Sequence, residues 1–165
     1  MAILKFENRT PRSLLEMYKY MVDFNKTGKY GVFGIGVDPV YAVQQMEFIQ
    51  GIFYKENILH PYVQIIFSFD SGIDLGVLTI CKICKEIAYV LVNDKRQILG
   101  AIHFNGTANI HCHYMINYVS IRGELYRQGH SVNYYKEVIN QILFNYGIKP
   151  IIYYGMNIFP FAIVG

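Results

Sequence analysis

Three of the five histidines in this chain fall within eleven residues, in the run His103-Phe-Asn105-Gly-Thr-Ala-Asn-Ile-His111-Cys-His113-Tyr-Met-Ile-Asn117. Three neutral imidazoles around an open position can hold a divalent metal that acts as a Lewis acid on a phosphate. Side chains alternate along a strand, so His111, His113, Met115 and Asn117 share one face. Ile110, Cys112, Tyr114 and Ile116 take the other, which reads as the face toward a helix layer. Asn105-Gly106-Thr107-Ala108 is a turn-rich link, and a hairpin closed there sets His103 opposite His111. A lone His-x-His pair is most simply two half-exposed strand side chains. The third histidine, with Asn117 in register, favours a metal site instead.

A second chemical group is a tyrosine hydroxyl, which has an ordinary pKa near 10 and attacks poorly without help from a metal or base. The first helix offers two. At 100° per residue, with Leu14 at zero, Tyr18 lies at about 40°, among Leu15, Met17, Met21 and Val22. Tyr20 lies at about 240°, beside Ser13 and near Glu16 at the border of the polar arc. Tyr18 therefore reads as core. Tyr20 is either an ordinary amphipathic surface position or a hydroxyl turned toward a cleft.

The elements that must position these groups follow from periodicity and breakers. Ala2 to Phe6 can be a short strand. Thr10 as N-cap and Pro11 in the first turn open a helix to about Phe24. Tyr30 to Val37 is Gly-rich and apolar, a loop or short strand. Asp38-Pro39 opens a helix ending near Lys55, with Val43, Met46, Phe48, Ile49 and Phe53 among its apolar positions. Tyr62 to Phe69 is a buried strand. Leu75 to Val92 is a helix with Leu78, Cys81, Ile83, Ile87 and Leu91 inward. Gln97 to Phe104 and Asn109 to Ser120 form the hairpin, Arg122-Gly123 turns the chain, and Asn133 to Tyr146 is a last helix closed by Gly147. The tail from Pro150 is an extra strand or a docking segment. The expected class is α+β, a single domain over residues 1–165 with helices packed on a central, largely antiparallel sheet.

The 165 residues are 53% hydrophobic and 16% charged, enough for a sizeable core and too apolar for a disordered chain. The net charge of +3 is unevenly spread. Lys5, Arg9, Arg12, Lys19, Lys26 and Lys29 face only Glu7, Glu16 and Asp23 near the start, and the rest of the chain balances. That bias is either a solvated helix face or an attraction for phosphates. Cys81, Cys84 and Cys112 read as buried thiols, since Cys81-Lys-Ile-Cys84 has no second pair to complete a zinc knuckle. With no signal peptide or membrane span in view, the expected setting is the reducing cytoplasm.

These residues resemble the relaxases, or mobilisation nucleases, of the HUH endonuclease superfamily. The family's motif is a histidine, an acid two residues on, a His-hydrophobic-His and an Asn four residues later. His103, His111-Cys-His113 and Asn117 match it in order and spacing. Tyr20-Met-Val-Asp-Phe-Asn-Lys26-Thr27 is similar to the tyrosine segment, Gly31-Val-Phe-Gly-Ile-Gly-Val-Asp-Pro39 to the Gly-rich stretch, and Tyr62-Val-Gln-Ile-Ile-Phe-Ser68-Phe69 to the Ser-Phe strand. The likeness covers roughly residues 2 to 150. Asn105 stands where the family has its acid, and family members usually continue well beyond this domain.

The resemblance implies that Tyr20 attacks a scissile phosphate of single-stranded DNA at an origin of transfer and becomes joined to the 5′ phosphate. It implies a divalent metal, Mg or Mn, on His103, His111 and His113. Asn105, Asn117 and Ser68 are supporting positions, and Arg12, Lys19, Lys26 and Lys29 hold the DNA backbone. Relaxosome accessory proteins are further partners. Two other readings stay open: a single-strand-binding relative that has lost catalysis, and a replication-initiation nuclease that would carry its tyrosine at Tyr134 or Tyr135.

Overall fold

The structure, a computed structural model, describes residues 1–7, 13–92, 95–106 and 108–152. β1 (Ile3–Glu7) is followed by α1 (Leu14–Met21), the one-turn α2 (Phe24–Thr27) and β2 (Val32–Ile35). Then come α3 (Ala42–Ile52), β3 (Tyr62–Ser68), α4 (Val77–Leu91), β4 (Ile98–His103), β5 (His111–Asn117) and α5 (Val132–Asn145). The class is α+β. One sheet, ordered β1-β3-β5-β4-β2 with each neighbouring pair antiparallel, carries helices on both faces.

β5 lies at the centre, and its alternation feeds two separate cores. Cys112, Tyr114 and Ile116 pack with Ile65, Phe67, Ile98 and Ile102 against Ile80, Ile83, Cys84 and Ile87 of α4 and Tyr135, Ile139 and Leu143 of α5. This is the helix layer expected for that face. Met115 joins Tyr62, Leu99 and Ala101 on the other face, under Leu14, Met17 and Met21 of α1 and Ala42, Val43 and Met46 of α3. Each fully buried Leu, Ile, Val, Met or Phe among them contributes about 1.5–3 kcal/mol. His103, His111 and His113 share the α1–α3 face by parity. The three cysteines are free, buried thiols.

The first helix differs from its sequence reading. Thr10, Pro11 and Arg12 lie outside the described residues. The described helix starts at Leu14, where Ser13 Oγ accepts from the Glu16 amide and the Glu16 carboxylate accepts from the Ser13 amide, a capping box. It stops at Met21 rather than Phe24, because Asp23 caps a new turn by accepting from the Asn25 amide. The break swings α2 beneath the hairpin, where the Phe104 N–H donates to the Lys26 carbonyl at 2.8 Å.

Leu78, expected to face inward, does not, and the apolar Phe48 of α3 is turned outward as well. Phe48 is 67% exposed and Leu78 is 70% exposed, each roughly half a turn away from its helix's buried stripe. In α3 that stripe is Ala42, Val43, Met46 and Gln50. The Gly-rich run after Tyr30 is a strand, β2, paired with β4. There Gly100 faces Phe33 across the pair, and a Cβ on Gly100 would fall 2.1 Å from the Phe33 ring. The missing side chain lets Phe33 lie across the sheet against Tyr114, ring centroids 6.4 Å apart. Gly147, at φ 66°, closes α5 after Tyr146. The tail beyond residue 152 lies outside the described residues. No helix among those described is long and apolar enough to cross a membrane.

Candidate metal and nucleophile site

The hairpin register decides the geometry. His103 and His111 are direct cross-strand partners, and His113 lies opposite Ala101, one diagonal step from His103. The three imidazoles offer ligand nitrogens that all lie within 4.8 Å of one another. His111 Nε2 and His113 Nε2 are already 3.1 Å apart. An ion bound by three imidazoles at about 2.1 Å holds their nitrogens roughly 3–3.5 Å apart, so the donor set fits a divalent metal with small ring adjustments.

Each ring is oriented through a second contact. The Met21 carbonyl, at the end of α1, accepts from His103 Nε2 at 2.9 Å and leaves Nδ1 with its lone pair. The Asn109 carbonyl accepts from His111 Nδ1 at 3.0 Å and leaves Nε2. Gln64 of β3 meets His113 Nδ1 at 3.0 Å. Burial, reinforced by His103, His111 and Lys26, holds the His113 imidazole at about 3. Burial also lowers His103, against the opposing bond from Met21. Both rings are therefore neutral near pH 7, the form that binds a metal.

Tyr20 stands beside this cluster. It is 38% exposed, with its ring centroid 5.8 Å from that of His103 and 5.4 Å from that of His113. Tyr18, by contrast, packs against the core under α1, as its wheel position predicts. Lys26 Nζ lies 4.4 Å from the Tyr20 ring centroid, on the far side of the helix break. The described helices leave the β1–β3 half of this sheet face open. There a groove of about 1220 Å³ runs past Tyr20, His113, His111 and Ser68 and over Gln64 to Tyr118 and Tyr126.

The remaining candidates scatter. Ser68 is the cross-strand partner of His111 and lines the groove. Lys19 and Lys29 are exposed, Lys29 with Nζ 5.3 Å from the Tyr30 ring, and Arg12 lies outside the described residues. Asn105 does not orient an imidazole in the described contacts: its amide nitrogen donates to the Asn25 carbonyl at 3.3 Å. Asn117 shares the histidines' face, yet it is four residues from His113, on the order of 13 Å along the strand. It is fully buried and serves a different network, accepting from Gln50 Nε2 and donating to Gln97 Oε1, both at 2.9 Å. Asn117 thus belongs to the core beneath α3 and does not reach the groove. Tyr134 and Tyr135 lie on α5, which packs on the opposite face of the sheet. Sequence reasoning missed Gln64 and the two carbonyls. Gln64 had one signal, its parity with Ser68 on the same strand.

No curated protein sequence matches the chain. One solved structure, described as the molecular basis of vancomycin resistance transfer in Staphylococcus aureus, is similar at a TM-score of 0.48 and 15% identity, over 78% of this chain and 77% of that one. The model of the family described as "Relaxase: MobA/VirD2-like, nuclease domain" matches residues 20–148, a span that starts at Tyr20 and includes all three histidines. That is well over half of the chain, which therefore belongs to the MobA/VirD2-like relaxase nuclease-domain family.

Proposed function

We propose that the chain is a metal-dependent tyrosine transesterase that nicks single-stranded DNA at an origin of transfer and stays joined to the new 5′ phosphate through Tyr20. The observation that carries this reading is the packing of the Tyr20 ring against both His103 and His113 at the mouth of an open groove. A divalent ion on the three imidazoles supplies Lewis-acid polarisation of the scissile phosphate. The Tyr20 oxygen forms the new bond to phosphorus, the bond to the 3′ oxygen breaks, and the phenol's proton balances the 3′-hydroxyl released. Attack by that hydroxyl reverses the step, so resealing needs no energy cofactor.

Other residues hold the strand. Lys26, with Lys19, Lys29 and Arg12, offsets backbone charge, and Ser68 is suited to donate to a phosphate oxygen beside His111. Tyr118 and Tyr126, at the far end of the groove, offer faces on which unpaired bases stack. Of Mg and Mn, an all-imidazole set favours Mn, because Mg prefers oxygen donors. The setting in this reading is the cytoplasm, with relaxosome accessory proteins as partners.

The deciding experiment incubates the protein and Mn with a labelled single-stranded oligonucleotide carrying the cognate origin and looks for a denaturation-resistant adduct. The expected adduct maps to Tyr20. An adduct at Tyr134 or Tyr135 would overturn the assignment in favour of a replication-initiation nuclease. Asn105 supports a second reading, because the residue at the family's acid position engages the α2 backbone instead of a histidine. In that case the chain binds single strands without cutting them, and no adduct forms with any metal or origin.

A further inference from the structure

Gln64 is not one of the histidine donors, yet it occupies a position of consequence. On β3 it lies opposite Met115 of β5, one diagonal step from His113, a separation that a long side chain spans. Its amide nitrogen lies 3.0 Å from His113 Nδ1. A half-turn exchanges the amide's nitrogen and oxygen, so the same contact can donate to Nδ1 or accept from it.

The two orientations are not equivalent for a ligand. With the amide N–H donating to Nδ1, His113 carries its proton on Nε2 and shares it with His111 Nε2, 3.1 Å away. That leaves His113 without a lone pair in the cluster. With the amide oxygen accepting from Nδ1–H, Nε2 of His113 is freed to ligate. The other two rings have no such choice. Carbonyls of Met21 and Asn109 only accept, which keeps the protons on His103 Nε2 and His111 Nδ1.

We propose that Gln64 is the positioning residue that sets the metal-competent tautomer of His113, and that its amide turns over as the ion binds. This rests on the metal reading above. Glu7 is the cross-strand neighbour of Gln64, and its side chain is only 7% exposed. One oxygen of its carboxylate pairs with Lys5 Nζ, and the other is a suitable acceptor for the amide N–H₂ in the metal-bound orientation. Asn105 fits the same arrangement. The orienting role that a carboxylate in the histidine motif would fill passes to an amide on a different strand.

The test titrates the full chain with Zn²⁺ alone, a diamagnetic probe, by calorimetry. The ring ¹⁵N shifts of His113 are read before and after. In the wild type the His113 proton should move from Nε2 to Nδ1 on binding. Gln64→Leu should weaken Zn²⁺ binding by about 10–100-fold. Gln64→Glu, whose carboxylate accepts only, should restore the affinity and show Nδ1–H before metal is added. Wild-type affinity in Gln64→Leu, or the same His113 tautomer in all three proteins, overturns the inference while leaving the metal site standing. A wild type that binds no Zn²⁺ overturns the metal reading and this inference together. If Gln64→Leu fails to fold, Gln64→Glu and the wild-type proton shift decide the matter.

Discussion

Tyr20 meets His113 edge-on, with ring centroids 5.4 Å apart and ring planes at 86°. The contact joins the end of α1 to the central strand, and the Met21 carbonyl holds His103 from the next residue. One helix end therefore both sets a tyrosine ring against the histidines and orients one of them. Removing the hydroxyl leaves these ring contacts in place.

Tyr20→Phe is expected to abolish the covalent DNA adduct, a loss on the order of 10⁴-fold or more, as for deletion of other essential nucleophiles. Single-strand affinity should stay within about twofold, since one oxygen is lost and Lys26 keeps its position over the ring. Tyr18→Phe should cleave normally. Quantifying adduct and filter-bound oligonucleotide side by side checks both.

The metal-free protein should lose stability on mild acidification. His113 is held at about 3 and His103 is lowered too, both by burial. The unfolded chain, with histidines near 6.5, takes up protons that the folded chain refuses. Stability is thus complete above about pH 6.5 and falls as the pH drops toward 3. His113 alone accounts for at most about 1.4 kcal/mol per pH unit. Urea unfolding in excess chelator from pH 7 to pH 4 should give a shallower slope for His113→Gln than for the wild type. Equal slopes would remove His113 as a source of the effect.

Asn117→Leu should destabilise the fold by about 2–4 kcal/mol, because Gln50 and Gln97 each lose a buried partner. Zn²⁺ affinity per folded molecule should match the wild type, since this network lies apart from the histidines. A selective loss of metal binding with unchanged stability would return Asn117 to the site.

Gly100→Ala should cost about 1–3 kcal/mol through overpacking against Phe33, whose ring lies 2.1 Å from the added carbon's position. Gly100→Ala combined with Phe33→Leu should recover part of that loss, and thermal unfolding of the three variants measures the coupling.

Several features are legible in the sequence alone. Strict alternation from Ile110 to Asn117 assigned His111 and His113 to one face and Cys112, Tyr114 and Ile116 to a helix layer, because a strand allows no other parity. The turn-forming link placed His103 across from His111, and the wheel separated Tyr18 from Tyr20. These inferences rest on local periodicity, which sequence carries directly.

Packing between distant segments carries no such periodicity. The order β1-β3-β5-β4-β2 brings Gln64 within reach of His113, forty-nine residues away in the chain. The helix break at Val22 and Asp23 turns the Met21 carbonyl onto His103, though the spacing around Asp23 reads equally well as continuous helix. Asn117 shares the histidines' parity, yet its depth beneath α3 gives it to Gln50 and Gln97. Parity states which face a side chain occupies. Only the stacking of α1 and α3 over part of that face decides which residues are sealed into a core and which line an open groove.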